Sequence, residues 1–229
     1  MAISRNIRLS PGFFRLPSET DDIFEEPATQ SETELPAPDA PLLLKQYSCE
    51  DYIREYYNGT DTRYELKDGY LRVLSNTSFK ELLLTQFLKK EIDHAIDALE
   101  KPWQCLFGAG LRTGWRQVRQ PHICVIRADQ QADMISKTNI CQTPPFLVVE
   151  IVTPEAVSTT YRHKRSEYAA LGVPEYWIVD PVHVQVVILL LEEGLYSDTV
   201  YSKDTVISSH LFPNLKLDPE MLMAAGAIS

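Results

Sequence analysis

The stretch from Pro145 to Pro181, PFLVVEIVTPEAVSTTYRHKRSEYAALGVPEYWIVDP, constrains the fold more than any other part of the chain. It opens with a continuous apolar run interrupted only by Glu150. A basic helix, YRHKRSEYAAL, follows, with Gly172 and Pro174 as its stop signals. A second strand-sized segment, EYWIVD, comes next. Apolar runs of this length read as strands buried on both faces, and joined by a helix they form a βαβ-like unit. Such units hold their chemistry at strand ends. A carboxylate there, faced by a lysine of the next helix, exceeds what packing alone requires.

The rest of the chain fits around that unit. SCEDYIREYY (48–57) predicts a short helix capped by Ser48. TRYELKDGYLRVL alternates about Asp68-Gly69, a strong hairpin signal. Ser78 and Glu81 form a capping box, and Leu84, Leu88, Ile92, Ala95, Ile96 and Leu99 follow at helical spacing. Strands are predicted at 103–112, 121–127 and 145–152, and a last hairpin about Glu193-Gly194. From Ser78 to Asp180 the predicted order is helix, three strands, helix, strand. Residues 1–41 read as an acidic leader too poor in periodic apolar residues to order itself, with one domain over 42–229.

Composition bounds the function. A chain of 229 residues, 44% hydrophobic and 24% charged, is enough for one domain with a sizeable core. Cys49, Cys105, Cys124 and Cys141 show no CxxC spacing, so they predict reduced, buried thiols rather than a zinc site. The longest dense apolar run, Val184 to Leu191, is strand-sized, and the N-terminus lacks a secretory apolar block. The expectation is a soluble cytoplasmic protein with no membrane association. The net charge of −10 argues against a simple non-specific DNA binder, which works through basic side chains that release counterions.

The order of elements, with RYELKDGYL, LRTGWRQVRQPHICVI, PPFLVVEIVTPEA, YRHKRSEYAALGVPEYWIVDP and HLFPNLKL, resembles the Uma-type endonuclease family of the PD-(D/E)XK superfamily over roughly Tyr47 to Met223. The resemblance implies an α/β, restriction-endonuclease-like core, a mixed β-sheet flanked by helices with added hairpins. It implies cleavage of DNA phosphodiesters with magnesium or manganese, and it leaves room for a homodimer. Glu150 matches the acidic residue of the (D/E)XK strand. Val152 stands where the usual lysine would be, and Lys164, from the following helix, matches the lysine of this branch. Glu65 matches an outer acid. The chain departs from the pattern at Pro121-His122, where the family has Pro-Asp, and at Thr160, normally Asp. Imidazole suits softer metals than magnesium, so Glu150 and His122 are the candidate metal ligands of an altered site.

Two functions follow: an endonuclease whose metal site has degraded, with weak or lost activity, or a catalytically inactive nuclease-fold module that binds or regulates. Bland readings stand beside each residue. Glu150 could be a structural carboxylate, Lys164 part of a solvated basic face with Arg162, His163 and Arg165, and His122 a half-buried histidine at a strand start. Arg112, Arg116 and Arg119 about Trp115 could grip a nucleic-acid backbone or simply decorate a polar hairpin. Gly108-Ala109-Gly110 reads as a bend, and Tyr176 and Trp177 as core.

Overall fold

The computed structural model describes residues 45–57 and 62–227. The acidic leader therefore lies outside the described residues. Ser48 caps α1 (Cys49–Tyr52) and closes a box with Asp51; the chain winds on as a π-type turn to Tyr57. The hairpin β1 (Tyr64–Lys67) and β2 (Tyr70–Val73) turns at Asp68 and Gly69, both at positive φ, as its sequence requires. Ser78 and Glu81 then start α2 (Phe79–Ala98) with the expected reciprocal box. Leu84, Leu88, Ile92 and Ile96 are buried along one face of it.

The strand predicted over 103–112 is two strands. β3 (Trp103–Phe107) and β4 (Gly110–Gly114) part at Gly108, whose φ of 67° turns the chain into a different sheet. β5 (Gln117–Arg119) completes a hairpin with β4 before β6 (Ile123–Arg127) returns to pair with β3. A helix, α3 (Ala128–Lys137), and a two-residue strand, β7 (Ile140–Cys141), were not foreseen. After β8 (Leu147–Ile151), a π-type segment (Thr159–Lys164) leads into α4 (Arg165–Leu171). Gly172, at φ 87°, caps it. β9 (Glu175–Asp180), the hairpin β10 (Gln185–Glu192) and β11 (Leu195–Ser202), and α5 (Pro219–Ala225) finish the chain.

Among the described residues the strands form a six-stranded sheet, ordered β11-β10-β9-β8-β6-β3, and a five-stranded sheet, ordered β2-β1-β5-β4-β7. The fold is thus α/β with mixed sheets flanked by helices, as expected. β8 and β9 run parallel at the centre of the larger sheet, with Glu150 opposite Ile178. Both are buried along their whole length. Alternation then decides what each side chain meets. Leu147, Val149 and Ile151 enter the core under α2 and α5, while Val148 and Val152 face Tyr168 of α4 and Tyr176. Glu150 shares the second face. All four cysteines are buried and free. Among the described residues no helix is long and apolar enough to cross a membrane.

Candidate active site

Glu150 is 1% exposed and accepts three hydrogen bonds. Its Oε1 receives Lys164 Nζ at 2.7 Å and the Tyr168 hydroxyl at 2.8 Å, and its Oε2 faces His122 Nδ1 at 3.0 Å. Lys164 reaches inward because the π-type winding ahead of α4 buries both Thr160 and Lys164. Such windings recur at functional sites. The solvated-face reading fails for Lys164, which is 7% exposed. Its ammonium also lies 3.4 Å from Glu65 Oε1, so one cation serves two carboxylates from different sheets.

Glu65 sits on β1 with its second oxygen 2.8 Å from the Arg119 guanidinium and its first accepting the Gln120 amide at 3.0 Å. Arg119 in turn pairs with Glu167 of α4. Arg119 is therefore not a backbone-gripping residue: it is buried and committed to two glutamates. Arg112 and Arg116 donate to Glu50 and Gln46, with the Arg116 guanidinium 5.1 Å over the ring of Trp115, which stays exposed at the hairpin tip.

His122 closes the other side. Its side chain is 21% exposed and stands between two carboxylates, with Nε2 3.5 Å from Glu81 Oε1. The Ile151 amide also points at Nδ1, from 3.2 Å. One ring nitrogen cannot both accept from that amide and face an ionised carboxylate without a proton. With Glu150 ionised, Nδ1 carries the proton and donates it to Oε2.

The charges sustain one another. Burial alone would lower the His122 pKa, but the hydrogen bonds to Glu150 and Glu81 win and raise it. Burial would raise the Glu150 pKa, yet the Lys164 charge and His122 hold it below its ordinary value. Glu65, buried but faced by Lys164 and Arg119, is brought down to about 2. Glu81, despite its own burial, is also brought to about 2 by His122 and the Ser78 cap. Lys164 loses to burial and regains more from Glu150 and Glu65, so its pKa is raised. His122, Glu150, Glu81 and Lys164 line a cleft of about 360 Å³ that also includes Arg63, Gln120 and Thr160, while Glu65 sits behind Lys164.

The four residues singled out from sequence, Glu65, His122, Glu150 and Lys164, thus meet in one cluster. Glu81, Arg119, Glu167 and Tyr168 belong to it too and were not anticipated. Glu81 was legible only as a cap. Tyr168 stands four residues after Lys164, a spacing that puts both on one helix face.

A hard divalent cation needs carboxylate oxygens free to ligate it. Here both oxygens of Glu150 and both of Glu65 face protein donors, and the imidazole stands between Glu150 and Glu81. No group of three or more His, Cys, Asp or Glu side chains among the described residues is arranged to hold a metal. This donor set does not fit magnesium or manganese as it stands.

Glu150 on a central strand and Glu65 on the flanking hairpin thus converge within 3.4 Å of one ammonium, that of Lys164 from the segment leading into α4. A solved structure has the same fold: a crystal structure from Anabaena variabilis, described as a putative nuclease belonging to DUF820, superposes with a TM-score of 0.66 at 15% identity. The match covers 79% of this chain and 99% of that one. The family model Uma2, described as "putative restriction endonuclease", matches residues 49–220, and the chain belongs to that family. No curated protein matches.

Proposed function

We propose that the protein is a nuclease-family DNA-binding enzyme in which two side-chain cations stand in for the metal, so that ordinary magnesium-dependent cleavage is weak or lost. The observation that carries this reading is His122 lodged between Glu150 and Glu81, at 3.0 Å and 3.5 Å. An aspartate there would add a negative charge and oxygen ligands; the histidine supplies instead an N–H donor to each neighbour. The cleft then offers Lys164, His122 and Arg63 to a phosphate, against the carboxylates of Glu81 and Glu150. Local cations of this kind offset the net acidity of the chain where a backbone would lie.

In this reading Lys164 orients a phosphoryl oxygen and balances its charge, and Glu65 and Arg119 hold Lys164 and α4 in place. Nicking of supercoiled plasmid tests it. Wild type should nick weakly or not at all with magnesium. His122→Asp should gain nicking, and adding Thr160→Asp should increase it, because Thr160 also lines the cleft. Vigorous magnesium-dependent cleavage by the wild type would overturn the reading. The alternative, a catalytically silent module, is favoured by the hydrogen bonds already filling both Glu150 oxygens. It would stand if the double variant nicked nothing while DNA binding persisted.

A further inference from the structure

Phe107, the last residue of β3, is 63% exposed although its Cα lies opposite Ile123, the residue after His122. Among the described residues β3 is an edge strand of the larger sheet, with no further strand of that sheet beside it. The ring and Leu82 of α2, itself 40% exposed, form a wall shared by two adjoining depressions. One is the cleft of His122 and Lys164. The other, of about 320 Å³, runs along α2 and is lined by Thr85, Lys89, Lys90, Asp93 and His94. Lys89 and Asp93 pair at 2.6 Å and neutralise each other, which leaves this lining the charge of Lys90.

An exposed aromatic ring flanked by Leu82 and by the charge of Lys90, continuous with a cleft that presents Lys164, His122 and Arg63 beside Glu81 and Glu150, suits a nucleotide. A base has a π-face to stack and a backbone charge to neutralise, and stacking on aromatic side chains tolerates any base. A duplex keeps those faces against its own neighbours. We propose that Phe107 and Leu82 are a stacking platform for an unpaired base, and that the site selects single-stranded or locally unpaired nucleic acid, with the adjacent phosphate directed toward Lys164. This rests on the nucleic-acid reading of the cleft.

Fluorescence anisotropy in EDTA, with a short labelled single strand and the matching duplex, tests binding apart from cleavage. Wild type should prefer the single strand. Phe107→Ala should weaken that binding roughly 5- to 150-fold, the range for loss of one stacked base, and Phe107→Trp should restore it. Lys90→Gln should weaken it less and flatten its salt dependence. Unchanged single-strand affinity in Phe107→Ala would overturn the platform while leaving the cleft reading intact. Wild type that binds neither probe would overturn the cleft reading as well. A wild-type dimer that Phe107→Ala converts to monomer, seen by light scattering, would assign the wall to a second copy of the chain and overturn the platform.

Discussion

Glu150 and Glu175 are both 1% exposed and lie on adjacent parallel strands, yet they are held in opposite ways. Glu175 opens β9 and faces the core under α2. Its oxygens accept from Trp177 Nε1 at 2.6 Å, Ser209 Oγ at 2.7 Å and the amides of His210 and Leu211 at 3.1 Å. Each donor is neutral, and together they pin the segment after β11 to the sheet. Glu150 lies toward the other end of its strand, on the other face, and its donors include a lysine, a histidine and one tyrosine hydroxyl. A buried carboxylate needs compensation in either case. Neutral amides and hydroxyls make a joint; cations beside a cleft make a site whose charge a ligand can alter.

The comparison can be broken most strongly at Lys164. Lys164→Met leaves Glu65 and Glu150 buried without their shared cation, and removing one partner of a buried pair costs about 3–5 kcal/mol. Urea unfolding should show a loss of that size, and Glu150→Gln in the same chain should recover part of it. A loss below about 1 kcal/mol would mean that water already screens the pair.

Glu175→Gln should come next, at about 1–3 kcal/mol, because an amide presents N–H groups to donors that need an acceptor. It should leave the His122 titration untouched. That titration, followed by NMR of the ring, is the sharper probe of the other region. Its midpoint should lie above 6.5 in wild type and fall in Glu150→Gln. A raised histidine pKa contributes stability that is complete below 6.5 and is lost as pH rises through the folded value. Glu65 and Glu81 behave in the opposite sense: their contribution is complete above 4.5 and is lost as pH falls toward about 2. Stability should therefore peak between about 4.5 and 6.5 and fall on both sides. A wild-type midpoint at or below 6.5 would detach His122 from Glu150. The smallest effect belongs to Ser209→Ala, which removes one of the four donors to Glu175 and should cost about 1 kcal/mol.

Much of this architecture was legible beforehand, because short-range rules governed it. The box at Ser78 and Glu81, the turns at Asp68-Gly69 and Glu193-Gly194 and the buried runs of β8 and β9 all formed as read. The split of 103–112 was hidden because a glycine bend within an apolar run does not say which sheet the next strand joins. Helix α3, ADQQADMISK, carries too few apolar residues to show a helical stripe in the sequence. At the site, the resemblance brought Glu65, His122, Glu150 and Lys164 forward, but not Arg119 or Glu167. Those two belong to segments 48 residues apart that meet only through the fold, and a basic hairpin gives no sign that one of its arginines turns inward.

Calorimetric titration of manganese into the wild type and His122→Asp asks whether His122 and Lys164 take the place of a metal beside Glu150. The wild-type cleft should give no binding heat, and His122→Asp should bind manganese one to one, a signal abolished by adding Glu150→Gln. One-to-one binding by the wild type that Glu150→Gln removes would contradict that replacement and make His122 a ligand or a displaced neighbour of a working metal site.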